Sequence, residues 1–357
     1  MFDIIFSFLE IKNTYFFLFL VFISFFVLIK FSSYFYKSSY NAVQKIHHDD
    51  TPRLGGIGIF LGLVFCYLLI DLDVKILNVI LDLILFSSLI IIPTVIEDIT
   101  HRTSPLFRFF FCFIAAISFF YFTDYALPNI DLLILSDLLK FPLFSILFYS
   151  FATVSIMNGF NLIDGTNGLS ASTCFAGFSC LLFLSVIVGN STFAFISVIF
   201  LLLILVFLFF NYPYGKIFLG DSGAYFLGFV LSCSLIIFFG TEDNVSPWNA
   251  ILILFYPIIE TIFSFTRKLF FEKTSPFDPD KYHLHLKIYF LMKDSDLIKR
   301  KKDNNNLVLP FLFVVWGTPL LIIHWVYEHE TLIWLSIFIM SIGYIIFYRW
   351  IPNTLKK

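Results

Sequence analysis

Apolar residues in this chain gather into long uninterrupted runs, and polar residues fall into short clusters between them. Runs approaching ~20 apolar residues match the length a helix needs to cross ~30 Å of hydrocarbon. The pattern predicts about eleven transmembrane helices, roughly 14–31, 55–70, 76–96, 106–122, 141–157, 169–189, 191–210, 217–239, 248–270, 308–327 and 331–349. Continuous apolar runs exclude a porin-type barrel, whose strands alternate with period two. The second run, about 16 residues, is short for a span and reads as tilted or partly re-entrant. The first is not a cleaved signal peptide, because its leader holds Asp3, Glu10 and Lys12 and no A-x-A site follows. The expected fold class is therefore all-α, a polytopic integral membrane protein. It forms a single membrane domain over 1–357, with a large loop at 271–306 between the ninth and tenth spans.

Composition agrees with this reading. Charged residues make up 13% of the chain and hydrophobic ones 59%, whereas a soluble domain carries about 25% charged residues to keep its surface wet. The distribution of charge adds orientation. Segments after odd-numbered spans hold 20 of the 23 Lys and Arg residues, against 3 on the opposite side. Positively charged loops stay in the cytoplasm, so the N-terminus is expected outside and the C-terminus and the 271–306 loop inside. A formal net charge of −2 makes no case for nucleic acid, and the basic stretch from Lys299 to Lys302 reads as a lipid-facing anchor. The five cysteines lie in apolar runs without CxxC spacing, as small core residues. No internal repeat is visible.

On this topology the polar clusters that could carry chemistry all face the cytoplasm. The first runs Lys45-Ile-His47-His-Asp-Asp-Thr-Pro52-Arg53-Leu-Gly55-Gly56. Its Pro and paired Gly permit a sharp turn and close backbone approach, and its cations could meet phosphate. The second is Glu97-Asp98-Ile-Thr-His101-Arg102-Thr-Ser-Pro105. Adjacent acids at a membrane edge call for a cation, a base role or a salt bridge to Arg102. In the third, Asn158, Asn161 and Asp164 recur every three residues on one helical face, with Gly165 and Gly168 breaking the turn and Asn167 between them. The fourth is Lys216-Ile-Phe218-Leu-Gly220-Asp221-Ser222-Gly223, where Asp221 could cap a helix or ligate Mg²⁺. The fifth, Asp278-Pro279-Asp280-Lys281-Tyr-His283-Leu-His285-Leu-Lys287, lacks the Cys or further His of a zinc site and suits phosphate better.

Together these clusters resemble the polyprenyl-phosphate N-acetylhexosamine-1-phosphate transferase family over about 45–290. Asn-x-x-Asn-x-x-Asp-Gly followed by Gly-Asp-Ser-Gly is the specific pair of motifs. Lys-x-His…Pro-x-x-Gly-Gly strengthens it. The Pro-Asp-x-x-His-x-His form is closer to the GlcNAc-1-phosphate branch than to the muramoyl-pentapeptide branch. The resemblance implies transfer of a sugar 1-phosphate from a UDP-N-acetylhexosamine to undecaprenyl (polyprenyl) phosphate, releasing UMP and starting a cell-envelope polysaccharide such as an O-antigen, lipopolysaccharide or cell-wall polymer. It implies Mg²⁺, or Mn²⁺ in its place, on Asp221. Asp98, Glu97 and Asp164 are then the catalytic acids, Asn158 and Asn161 turn toward the nucleotide, and Phe218 stacks on uracil. Lys45, His47, Arg102, His283 and His285 would meet the phosphates. The implied setting is the bacterial cytoplasmic (inner) membrane, with the site facing the cytoplasm, no nucleic-acid partner and a homodimer allowed. Three positions depart from the family pattern: Glu97 and Asn167 stand where Asp is usual, and Leu286 where a further His is usual. The rival classes are a transporter or flippase for an anionic lipid or sugar phosphate, and an inactive relative serving as a scaffold.

Overall fold

The computed structural model describes residues 1–35, 51–275, 281–294 and 305–352. Lys45, His47, Asp278 and Asp280 lie outside the described residues. Among the described residues every regular element is helical. The chain opens with α1 (Phe2–Glu10), α2 (Thr14–Phe35), α3 (Gly55–Leu69), α4 (Val74–Thr100), α5 (Pro105–Phe122) and the short α6 (Leu133–Leu139). The middle holds α7 (Pro142–Ile163), α8 (Leu169–Val188), α9 (Ser191–Asn211), α10 (Gly220–Thr241), α11 (Asn249–Ile253) and α12 (Phe255–Thr266). After a π-helical turn at Arg267–Glu272 come α13 (Leu284–Asp294), α14 (Val308–Phe311), α15 (Phe313–Trp316), α16 (Thr318–Val326) and α17 (Glu330–Trp350).

Eight of these helices are long and apolar enough to cross a membrane: α2, α4, α5, α7, α8, α9, α10 and α17. A ninth is reached if the pair Asn305–Phe311 and Phe313–Val326, bent by 42°, counts as one span. The two other expected spans take different forms. The 55–70 run gives α3, only 15 residues long. The 248–270 run is interrupted at Leu254 between α11 and α12. Pro257 has no N–H to offer the carbonyl four residues back, at Ile253, so the helix restarts with Pro257 in its first turn.

The core follows from amphipathicity, or its absence. α10 is apolar on every side, and a helix apolar all round belongs inside a bundle. It is 89% buried along its most apolar stretch, against 17% for α17. α7, α4, α3 and α8 surround α10, and α8 packs against α9. The approach of α3 to α10 is backbone to backbone: a Cβ at Gly56 would overlap the main chain of Gly223. All five cysteines are free and buried, as expected. This packing brings the start of α10, the start of α3 and the end of α4 to one place.

Candidate active site

The start of α10 is where the clusters meet. Gly220 has φ of +76°, and a Cβ there would overlap the Arg53 carbonyl and lie 2.7 Å from Asp98 Oδ2. Only glycine meets both demands. Asp98, in the last turn of α4 and fully buried, accepts the N–H of Asp221 and the N–H of Ser222, each at 2.8 Å. An acid from one helix thus caps another, with its charge at the positive end of the helix dipole.

Because Asp98 does the capping, Asp221 does not. Its carboxylate accepts from Arg53 Nη2 at 2.7 Å and pairs with Arg108 Nη1. Arg53 Nε lies 3.5 Å from Asp98 Oδ1, and its side chain is 36% exposed where that of Asp98 is sealed, so the arginine opens the cluster to water. The 52–56 segment holds Arg53 in place. Phe218 donates its N–H to the Pro52 carbonyl at 2.8 Å, while Gly55 and Gly56 donate theirs to the carbonyls of Phe218 and Leu219 at 2.9 Å. The first and fourth sequence clusters are therefore stitched together by main chain. Phe218 itself is half-buried.

Glu97 points elsewhere. Its Oε2 accepts both the N–H and the hydroxyl of Thr103 at 2.7 Å, pinning the turn into α5. The salt bridge considered between the acids and Arg102 is replaced by the one from Arg53. That pairing needs α4 to continue one more turn, but α4 ends at Thr100, with His101 left-handed at φ 53°, and Arg102 is exposed.

Asp164 follows the last residue of α7 and donates its N–H to the Asn161 carbonyl at 3.3 Å. Burial pushes its carboxyl well above the ordinary range; the Arg53 charge opposes this and the Asp98 charge adds to it. Asp164, Asp98 and Arg53 thus share one electrostatic field. Asn161 is half-buried on the last turn of α7. Asn158 is a buttress, donating to the Val154 carbonyl at 2.8 Å and accepting from Tyr225 on α10 at 3.4 Å. Gly168, at φ +77°, starts α8 as the sequence anticipates. Asn167 is a clamp: its Nδ2 donates to the Pro213 carbonyl at 3.2 Å, and Oδ1 accepts from Asn305 Nδ2 at 3.0 Å. Those two roles need an amide, which gives the Asn at this position a reason.

His283 and His285 are buried, with rings 5.8 Å apart and 9° from parallel. A Cβ on Gly165 would overlap the His285 imidazole at Nε2, so this histidine abuts the Asp164 loop. His283 Nδ1 lies 3.0 Å from Glu260 Oε1. Lys287 Nζ donates to the Tyr348 carbonyl at 3.0 Å, and burial, then the Arg267 charge, lowers its pKa.

Two carboxylates and two arginines around one helix start, with Asp164 in the field of Arg53 and Asp98, can bind phosphate through the cations and a hard cation through the acids. Among the described residues no three His, Cys, Asp or Glu side chains form a metal cage of their own. Sequence reasoning missed Arg108 and Glu260. Each is a lone charge inside an apolar run, and that placement is itself the signal of an obligatory partner.

Residues 80–239 match the family model for glycosyl transferase family 4. The chain is 30% identical over 242 residues, 68% of its length and 69% of the other's, to the undecaprenyl-phosphate alpha-N-acetylglucosaminyl 1-phosphate transferase of Thermotoga maritima. It is 29% identical over 259 residues, covering 68% of the chain and 66% of the relative, to the probable undecaprenyl-phosphate N-acetylglucosaminyl 1-phosphate transferase of Bacillus subtilis. A putative UDP-N-acetylglucosamine–dolichyl-phosphate N-acetylglucosaminephosphotransferase of Sulfolobus acidocaldarius is 30% identical over 200 residues, 53% of the chain and 59% of that protein.

Proposed function

Since the chain belongs to glycosyl transferase family 4, we propose that it moves an N-acetylhexosamine 1-phosphate from a UDP-sugar to a polyprenyl phosphate in the bilayer. The products are a polyprenyl-diphospho-sugar and UMP, and the site faces the cytoplasm of a bacterial inner membrane. The observation that carries this reading is the Asp98–Arg53–Asp221–Arg108 cluster at the start of α10. Transporter chemistry gains no support, since the relatives are named as transferases.

Phosphoryl transfer depends on positioning and charge neutralisation more than on covalent chemistry by the protein. The acceptor phosphate monoester, with a second pKa of about 6, is mostly dianionic near neutral pH. Arg53 and Arg108 offer planar forks that match phosphate oxygens. An arriving phosphate competes with Asp221 for both, releasing the Asp221 carboxylate. Asp98 stays with the helix amides and orients Arg53. Asp164, protonated more readily than an ordinary carboxyl, is suited to exchange a proton at the entering phosphate oxygen. Phe218 offers a ring for the uracil, and His283 and His285 flank the Asp164 loop where a leaving phosphate would collect charge.

A magnesium ion fits this donor set in one way. Mg²⁺ is commonly held by one or two carboxylates with substrate phosphate and water rather than by an all-protein cage. Asp221, with Asp98 behind it, supplies such a carboxylate. When bound, the ion would neutralise the diphosphate oxygens.

The test is UMP release by purified protein with undecaprenyl phosphate, Mg²⁺ and a panel of UDP-sugars. The expected result is metal-dependent UMP formation with at least one UDP-N-acetylhexosamine, matched by a lipid-linked sugar of equal amount. UMP formation without a lipid product, or no UMP from any donor, overturns the reading.

A further inference from the structure

Glu260 lies in α12, beyond residues 80–239 that the family model matches, and nothing in the proposed reaction uses it. It is almost fully buried, with 1% of its surface exposed. Burying a carboxylate is expensive unless its oxygens are satisfied. Here they are. Oε2 accepts the Tyr344 hydroxyl of α17 at 2.7 Å, and Oε1 accepts the Leu284 N–H at 3.2 Å. The third neighbour is His283 Nδ1, 3.0 Å from the same Oε1.

These contacts decide where the protons sit. An ionised carboxylate only accepts, and donors already reach both oxygens from a backbone N–H and a phenol. The third contact is favourable only if His283 Nδ1 carries a hydrogen. Glu260 therefore fixes the histidine as its Nδ1–H tautomer when neutral, leaving Nε2 as the nitrogen able to hold or move a proton. The same acid secures the ring's direction, because Leu284, the next residue, is tied to it by its own N–H. Parallel packing against His285, which in turn meets Gly165 beside Asp164, carries that orientation to the edge of the cluster.

We infer that Glu260 is a positioning residue: its carboxylate, braced by Tyr344, sets the tautomer and aim of His283 for the substrate phosphates. This deepens the transferase reading and rests on it. It also gives α17, outside the residues that the family model matches, a mechanical link to the site. The logic is that of a carboxylate behind a metal-bound or catalytic imidazole, whose removal typically lowers activity about 10- to 100-fold.

The experiment compares wild type with Glu260→Gln, Glu260→Asp, His283→Gln and the double variant Glu260→Gln/His283→Gln, each monodisperse in detergent at matched folded concentration. Undecaprenyl phosphate and UDP-N-acetylglucosamine serve as probes, and UMP is measured. Glu260→Gln keeps the shape but lets the amide offer either group to His283. It is expected to lower kcat about 10- to 100-fold with KM for the UDP-sugar within a few-fold. Glu260→Asp should recover part of the loss, and the double variant should be no worse than His283→Gln, since the two act as one unit. A second readout does not depend on turnover: in protein labelled with ¹⁵N-histidine, the resonance assigned to His283 by its loss in His283→Gln should report Nδ1–H in wild type and a mixture in Glu260→Gln. Wild-type kcat in folded Glu260→Gln, multiplicative losses in the double variant, or an unchanged His283 tautomer overturns the inference. If wild type releases no UMP, the transferase reading fails along with the role toward phosphate, and the labelled imidazole still distinguishes that failure from a failure of the Glu260 contact.

Discussion

Asp221 and Glu260 are both acids with little exposed surface, 7% and 1%, yet they are held in opposite ways. Asp221 is gripped by the tips of two long cationic side chains, one of them 36% exposed. Glu260 is gripped by an imidazole and the backbone N–H that follows it at 283–284, and by a phenol from α17. Guanidinium groups can swing to another anion with only side-chain rotation. The partners of Glu260 can leave only if helices move. The first acid is arranged for exchange and the second for permanence, and the chemistry of each follows from the reach of its partners rather than from its own identity.

The sharpest way to break this comparison is Asp221→Asn. Because Asp98 supplies the cap, the variant should fold as wild type in thermal unfolding while UMP release falls about 10²- to 10³-fold, the scale of losing one preorganised electrostatic group. A parallel loss of melting temperature would place Asp221 with the permanent acids. Asp98→Asn should damage both properties. Asn retains one acceptor oxygen for two helix amides, so an unsatisfied buried N–H is expected to cost about 1–3 kcal/mol, read as a lower Tm alongside lost turnover. Tyr344→Phe sharpens the other side. It removes one donor from the Glu260 carboxylate and should destabilise the fold by about 1.5–3 kcal/mol, as for hydrogen bonds to charged groups, in the same unfolding assay.

The smallest effect is one of pH. Burial raises the Asp164 carboxyl above its usual 3.8, so the folded chain holds that proton more tightly than the unfolded chain does. The resulting stability is complete below 3.8 and is lost as pH rises through the raised value. Asp164→Asn should flatten this part of the Tm-against-pH curve, and an unchanged curve would show that Asp164 keeps an ordinary acidity.

Much of this was legible from residue order. Pro52 and the paired glycines, Gly220 and Gly168 mark tight backbone, and each occupies a turn or close approach in the fold. Asp98 and Asp221 stand out as acids at the ends of apolar runs. Their division of labour does not stand out, because a cap is normally read within a few residues of its helix and this one comes from 123 residues away. Arg102 was attractive for a related reason: four positions after Asp98, it is a neighbour only if the helix continues, and the left-handed His101 ends it. Arg108 and Glu260 have no local motif, so their partners become visible only when helices pack. The broken 248–270 run shows the same limit, since hydropathy measures length and Pro257 changes continuity.

The cap that α4 gives to α10 also imposes an order on synthesis. Asp98 leaves the ribosome long before the two amides it holds, and a nascent chain that has delivered only α4 and α5 contains the acid, Arg53 and Arg108 but no helix start for them to serve. Adding α10 supplies the amides, Asp221 and the glycine that lets them approach. Insertion of that one helix and assembly of the Asp98–Arg53–Asp221–Arg108 cluster are therefore a single event, and a nascent chain stalled short of α10 holds these cations and Asp98 without the helix start that joins them.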